Sequence, residues 1–141
     1  MSIKRVPEGY HTATPYLIVK GAAKAIDFYK QAFGAVQTFC VTDPGGIVRH
    51  GEFKIGDSPF MISDENDEFP EWKGPKSRGG ATMHIYLYVE DCDGLFKRAV
   101  AAGATAIAPM EDKPYGDRTG TVVDPFGHIW YVASRIGELK I

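Results

Sequence analysis

Apolar and polar residues along the chain follow an order that occurs twice. A strand-like apolar run at residues 14–19 precedes a segment in which Ile26, Tyr29 and Phe33 recur at the three- and four-residue spacing of an amphipathic helix. Residues 84–89 form a second apolar run, which is again followed by an amphipathic segment. The pattern predicts a strand followed by a helix in each half of the chain.

A Gly-Ala pair ends each predicted helix, at residues 34–35 and 103–104. Glycine is common at this position because it tolerates the left-handed backbone conformation. The apolar runs are offset by 70 residues, from Val19 to Val89, and the Gly-Ala pairs by 69. Because the same order returns at a nearly constant offset, the sequence predicts a duplicated structural unit.

Three further strand-like runs, separated by turn signals, follow each predicted helix. They are residues 36–42, 47–55 and 59–63 in the first half and 105–110, 118–123 and 128–134 in the second. The sequence therefore predicts an α+β fold: two tandem βαβββ modules forming a curved mixed sheet with the helices on its convex face. We expect a single domain over residues 1–141, with module one at about 10–64, a linker at about 65–80 and module two at about 81–134.

Composition excludes several classes of partner. The net charge of -2 lacks the basic surplus that nucleic-acid binding requires. The apolar runs are much shorter than the ~20 residues of a membrane span. Cys40 and Cys92 lie far apart and form no zinc or redox motif, which is typical of reduced thiols in a cytoplasmic protein. We therefore expect a cytoplasmic protein that binds neither nucleic acid nor membranes.

One face of each predicted half-sheet is not covered by its helix. Pairing the two halves would turn these bare faces into a cup, which is the default position for a ligand. Because side chains alternate along a strand, the residues predicted to face the cup can be identified. They include Thr14, Tyr16, His50, Glu52, His84, Tyr86, Tyr88 and Tyr131. Such polar groups indicate ordered water, a ligand or a metal, or else a network in which they satisfy one another.

Several local motifs support a family resemblance through their order and spacing. They are Thr14-Pro15-Tyr16-Leu17, Ala25-Ile26-Asp27-Phe28-Tyr29, Phe33-Gly34-Ala35, Ile55-Gly56-Asp57-Ser58, Gly116-Asp117-Arg118 and Asp124-Pro125-Phe126-Gly127-His128. With the duplicated module, these motifs resemble the vicinal-oxygen-chelate superfamily of glyoxalases, bleomycin-resistance proteins and extradiol dioxygenases, and its PhnB-like branch in particular. The resemblance covers residues 10–133.

The resemblance also implies where a metal would bind. Metal-dependent members use one side chain from the first and one from the last strand of each module, and these positions fall on Thr14, Met61, His84 and Tyr131. Only His84 is a good ligand for a divalent ion. This departure argues against glyoxalase I chemistry, which uses a full set of His and Glu ligands.

A displaced site remains an alternative. His50, Glu52 and His84 could form a His-His-Glu set like the facial triad of nonheme iron enzymes, so they are candidate catalytic and metal-binding residues. Without a metal, either histidine could act as a general base while Arg118 or Lys54 holds an anionic substrate. Arg118 could equally belong to a structural ion pair with Asp117.

Two functions of different classes follow. The first is binding or sequestration of a small polar or aromatic compound, as in bleomycin-resistance members, without a cofactor. The candidate ligand-binding residues are Thr14, Tyr16, Tyr86, Tyr88, Arg118 and Tyr131. The alternative is a metal-dependent lyase, isomerase or dioxygenase that uses a divalent metal. We also expect a homodimer, since each half alone leaves a sheet face exposed, with the modules paired either within or between chains.

Overall fold

The computed structural model describes residues 2–138, which form two mixed sheets and three helices. The elements are β1 (Tyr16–Val19), α1 (Ala22–Phe33), β2 (Val36–Thr42), β3 (Val48–Ile55), β4 (Ser58–Asp64), α2 (Pro75–Arg78), β5 (His84–Tyr88), α3 (Cys92–Ala102), β6 (Thr105–Asp112), β7 (Asp117–Val123) and β8 (Ile129–Arg135). The predicted α+β fold of two βαβββ modules is confirmed. Over this part of the chain, no helix has the length and apolar character needed to cross a membrane.

Each module builds its own four-stranded sheet. The strand orders are β1-β4-β3-β2 and β5-β8-β7-β6, so the two sheets repeat one topology. In each sheet the first strand pairs in parallel with the last, and the other pairs are antiparallel. Within residues 2–138 no strand ladder joins the two sheets, and the curved sheet expected from sequence is divided between the modules.

The helix N-termini are capped by aspartates from different positions. Gly21, which precedes α1, has no side chain to accept hydrogen bonds, and Asp64 at the end of β4 supplies the acceptor instead. One Asp64 oxygen accepts from the Gly21 and Ala22 amides, both at 2.8 Å, and the other accepts from the Val48 amide. In module two, Asp91 caps α3 directly by accepting from the Gly94 amide. These bonds satisfy amides that a helix start would otherwise leave unpaired.

The helix-covered sides of the two sheets pack together into one core. Trp130 of β8 lies against Tyr29 and Phe33 of α1, with ring centroids 5.2 and 4.8 Å apart, and against Phe60 of β4. Tyr29 and Trp130 are fully buried. Since these side chains occupy the helix side of each sheet, the bare faces point outward and expose Tyr88.

Asp124 connects the modules through hydrogen bonds. Its Oδ2 accepts from the Tyr29 hydroxyl at 2.6 Å and from Trp130 Nε1 at 2.8 Å. Its Oδ1 accepts from the Phe126 and His128 amides and so fixes the turn between β7 and β8. Burial, reinforced by the Asp124 charge, raises the pKa of Tyr29 well above its ordinary value, which keeps this hydroxyl a donor.

The linker is fastened to module one rather than left free. Trp72 Nε1 donates to Ser63 Oγ at 2.8 Å, and the Gly74 amide donates to the Glu65 carboxylate at 2.8 Å. Gly74 passes so close to β1 that a Cβ at this position would lie 2.6 Å from the Ile18 carbonyl oxygen. The short helix α2 is therefore held against the edge of the first sheet.

Candidate functional site

A row of four aromatic rings lies on the bare side of the second sheet, which we call the module-two face. Tyr86 of β5 is the parallel neighbour of Tyr131 of β8, and their rings stack with centroids 5.3 Å apart. Tyr88 and His84 extend the row at either end, at 5.1 Å from Tyr86 and 5.5 Å from Tyr131. Cross-strand register thus places these rings side by side, as strand alternation predicted.

Asp117 of β7 holds two rings of this row in place. Its Oδ2 accepts from the hydroxyls of Tyr86 and Tyr88, both at 2.7 Å, and its Oδ1 accepts from Arg135 Nε at 3.2 Å. The hydrogen bonds from Tyr86 and Tyr88 lower the pKa of Asp117. Burial, together with the bond to Asp117, raises the pKa of Tyr86. Asp117 was not among the site residues predicted from sequence, although the same alternation assigns it to this face.

The stability of the protein at low pH should depend on Asp117. Its pKa in the folded state lies below the ordinary 3.8, so the unfolded chain takes up the proton first as the pH falls. The stability that the ionised Asp117 carboxylate contributes is present above pH 3.8 and is lost as the pH falls below it. We expect the Tm of the wild type to fall more steeply below about pH 4 than that of Asp117→Asn, measured by circular dichroism at constant ionic strength.

The control for this prediction is Asp57→Asn, in the exposed turn between β3 and β4. This variant should keep the steep acid slope of the wild type. Parallel curves for the wild type and Asp117→Asn would show that the tyrosine hydroxyls do not stabilise the Asp117 carboxylate.

A buried threonine hydroxyl lies on the same face. Thr119 of β7 is only 3% exposed, and among the described residues its Oγ1 makes no well-formed hydrogen bond. Thr119 lies beside Tyr86, on the same side of the sheet as Asp117 and Tyr131. The Thr119 hydroxyl is close enough to the Tyr86 hydroxyl to lower the pKa of that phenol, against the larger raising effects of burial and Asp117.

The bare side of the first sheet, the module-one face, carries a chain of four hydrogen-bonded side chains. Tyr16 Oη lies 2.9 Å from His50 Nδ1, and His50 Nε2 lies 2.8 Å from Glu52 Oε2. Because a carboxylate only accepts, His50 carries a proton on Nε2, and Nδ1 can accept from Tyr16. The Tyr10 hydroxyl donates to the other Glu52 oxygen. These groups form the mutually satisfied polar network that was one of the expected arrangements.

The network fixes the charge state of its members. The hydrogen bond from Tyr10, and then that from His50, lowers the pKa of Glu52. Burial, together with the bond to Glu52, raises the pKa of Tyr10 to about 12. Glu52 is therefore a carboxylate and Tyr10 a neutral phenol at neutral pH. Tyr10 precedes the first strand, where no alternation pattern applies, and it was not among the site residues predicted from sequence.

Further aromatic rings border the module-one face. Trp72 of the linker meets Tyr16 edge to face with centroids 6.1 Å apart, and Phe39 of β2 lies 6.2 Å from the His50 ring. Phe69 extends the group beside Trp72. Both bare faces thus present aromatic surface around a fixed carboxylate, Glu52 in one and Asp117 in the other.

The predicted His-His-Glu set is not gathered within one chain. His50 and Glu52 lie on the module-one face, whereas His84 lies on the module-two face, where its Nδ1 is 3.2 Å from Tyr131 Oη. In residues 2–138 no three His, Cys, Asp or Glu side chains could hold one metal ion. The two faces diverge because the modules pack through their helix-covered sides.

The four positions implied by the family do not fit a divalent metal either. Thr14 precedes β1, Met61 lies opposite Tyr16, and His84 and Tyr131 are on the other sheet. Their donors are a hydroxyl, a thioether, a phenol and one imidazole, whereas divalent ions in such sites take imidazole and carboxylate ligands. The donors at these four positions therefore do not support a metal-dependent reaction there.

Arg118 does not reach either bare face. Its Nε lies 3.1 and 3.0 Å from the two oxygens of Asp93 on α3, and its Nη1 lies 3.0 Å from Asp112 Oδ1. Alternation explains this placement, since Arg118 follows Asp117 in β7 and must point to the opposite side. Arg118 therefore forms ion pairs with Asp93 of α3 and Asp112 of β6 rather than with Asp117, and its part in ligand binding stays a prediction.

Comparison with known proteins places this geometry in a family. The model of the Glyoxalase/Bleomycin resistance protein/Dioxygenase superfamily matches residues 10–132. Rv0887c, an uncharacterized protein of Mycobacterium tuberculosis, is 41% identical over 133 residues, which cover 91% of this chain and 76% of that relative.

Solved structures share the fold. The Arabidopsis thaliana gene product At5g48480 is 27% identical with a TM-score of 0.71, over 89% of this chain and 98% of that one. A PhnB protein from Bacillus cereus is 21% identical with a TM-score of 0.66, over 90% and 100% of the two chains. The chain belongs to the Glyoxalase/Bleomycin resistance protein/Dioxygenase superfamily, which confirms the resemblance that its motifs indicated.

Proposed function

We propose that the protein is a cytoplasmic homodimer that binds a small aromatic compound carrying a positive charge. The compound lies between the module-one face of one chain and the module-two face of the other, in a hollow that neither chain forms alone. The observation that carries this proposal is the row of tyrosines fixed by Asp117 on an outward-facing sheet.

The exposure of the rings supports binding rather than a purely structural role. In the single chain Tyr16 and Tyr86 are each 39% exposed and Tyr88 is 58% exposed. Their hydroxyls are nevertheless tied down, to His50 in one case and to Asp117 in the other two. Rings whose orientation is already fixed lose little conformational entropy when a planar ligand stacks on them.

The Glu52 carboxylate on the module-one face favours a cation, although Lys54 lies two residues further along on the same side of β3. Glu52 accepts from Tyr10 and His50, and among the described residues it has no Lys or Arg within ion-pair distance. A carboxylate of this kind, surrounded by aromatic rings, attracts a cationic ligand through direct charge and through cation–π contact.

Titration calorimetry with proflavine, a planar aromatic cation, tests the proposal. We expect saturable binding by the wild type, and binding about 10-fold weaker for Tyr86→Ala because a stacking surface is lost. Val100→Ala removes an equally exposed apolar side chain from α3 and should bind as the wild type does. Equal affinity for proflavine and for the anion 2-naphthoate would contradict the role of Glu52, and unchanged binding by Tyr86→Ala would contradict the site.

A metal-dependent enzyme is the second candidate. In the same hollow, His50 and Glu52 of one chain would approach His84 of the partner subunit, which would complete the set that a single chain leaves divided. Metal analysis of the purified protein, followed by titration with Mn, Fe, Ni and Zn, separates the candidates. Stoichiometric metal that is lost in His84→Ala favours the enzyme, whereas metal-free protein that binds proflavine favours the binding protein.

A further inference from the structure

A cavity of about 400 Å³ lies where the two modules and the linker meet. One wall is β1 of the first sheet, a second is the linker around α2, and a third is the chain that enters β5. Apolar side chains of β1 and β5, among them Ile18 and Ile85, provide much of its lining, and Met83 lies at its mouth with 68% of its surface exposed. Its volume falls in the range of small-molecule sites.

The charged groups of this cavity are all basic. Lys73 and Arg78 of the linker line it together with the imidazole of His128, and none of the lining residues from the described part of the chain is acidic. Lys73 forms an ion pair with Asp67, which lies outside the cavity and is exposed. The Arg78 side chain donates one hydrogen bond, to the Pro70 carbonyl oxygen. Among the described residues its other N–H groups have no partner, so they are available to a ligand.

Close packing holds the walls in position. His128 Nε2 lies 3.1 Å from the Ile18 carbonyl oxygen and so links the second module to β1 of the first. A Cβ on Gly127 would lie 2.8 Å from Pro75 Cβ, and Gly127 has a φ of +96°, a conformation that favours glycine. The cavity is therefore built by contacts between linker and both modules rather than left by loose loops.

We infer that this cavity binds an amphipathic carboxylate, a molecule with an apolar chain and one anionic head. The apolar walls take the chain, and the Arg78 guanidinium binds the head through charge-assisted hydrogen bonds. The site differs from the hollow of the proposed function because the linker and the chain that enters β5 bound it, although Tyr16 and Ile18 of its β1 wall lie on the side of the module-one face.

Titration calorimetry with decanoate at submicellar concentration tests the inference. We expect saturable binding of one decanoate per chain, with much weaker binding of decanol and decylammonium, which have the same chain but no anionic head. Arg78→Met keeps the aliphatic stem and should weaken decanoate binding about 10-fold. Lys76→Met, a neighbour on α2 that lies outside the lining, should change it by less than about twofold.

Two further variants locate the bound molecule. Ala81→Trp fills the cavity and should abolish decanoate binding while the Tm shows that the chain is folded. Tyr86→Ala, on the module-two face, should bind decanoate as the wild type does. The inference is overturned if the wild type shows no saturable binding, if decylammonium binds as tightly, if Arg78→Met is unaffected, or if Tyr86→Ala loses binding.

Discussion

Replacing Asp124 by alanine should lower the free energy of unfolding by roughly 4 kcal/mol. The Tyr29 hydroxyl and Trp130 Nε1, both fully buried, would lose their common acceptor, and each unpaired buried donor costs about 1–3 kcal/mol. Loss of the two turn hydrogen bonds to Asp124 Oδ1 adds to this. Urea denaturation followed by circular dichroism measures the difference.

Asp43 provides a matched control because it stands in the same kind of turn. Its Oδ1 accepts from the amides two and four residues later, as Asp124 Oδ1 does, but its Oδ2 binds the exposed Arg49 instead of buried donors. Asp43→Ala should therefore cost only about 1 kcal/mol. Equal losses in the two variants would show that Asp124 stabilises its turn and not the contact between modules.

Strand alternation was sufficient to predict on which side of its sheet each of several strand residues lies. Once Leu17 and Val19 were assigned to the helix side, Tyr16 had to point away from it, and the same rule placed Tyr86 and Tyr88 together. The contacts of these side chains agree with that orientation. Their role in binding a ligand stays a prediction.

The relation between the two faces could not be predicted in the same way. Alternation identifies the side of a sheet on which a residue lies, but it contains no information about which side of one module packs on the other. That choice depends on contacts such as Phe60 with Trp130, more than 60 residues apart in the chain. His50 and His84 were therefore assigned to one cup although each lies on its own sheet.

Charge patterns in the sequence were misleading where neighbours point to opposite sides. Asp117 and Arg118 are adjacent and oppositely charged, which suggests an ion pair, but successive side chains of a strand cannot face each other. Asp117 instead orders the tyrosines, and Arg118 binds Asp93 of α3. Alternation within β7 is thus a better guide to these two residues than their charges.

If the ligand hollow is shared between chains, two variants that each bind poorly should restore binding when mixed. Tyr16→Ala damages the module-one face and Tyr86→Ala the module-two face, so every hollow in either pure homodimer is defective. A mixed dimer contains one hollow built from the intact module one of one chain and the intact module two of the other. This prediction rests on the proposed function.

Random exchange of subunits gives mixed dimers for half of the population, and one of the two hollows in each is intact. We therefore expect about a quarter of the wild-type number of tight proflavine sites, measured as the stoichiometry of calorimetric titration after the two variants are refolded together. Mixing Tyr86→Ala with Tyr88→Ala is the control, because both changes damage the module-two face and no mixed dimer has an intact hollow. Recovery of proflavine binding requires that Tyr16 of one chain and Tyr86 of the partner subunit contact the same ligand, which only pairing between chains allows. If neither mixture recovers binding, each hollow belongs to a single chain.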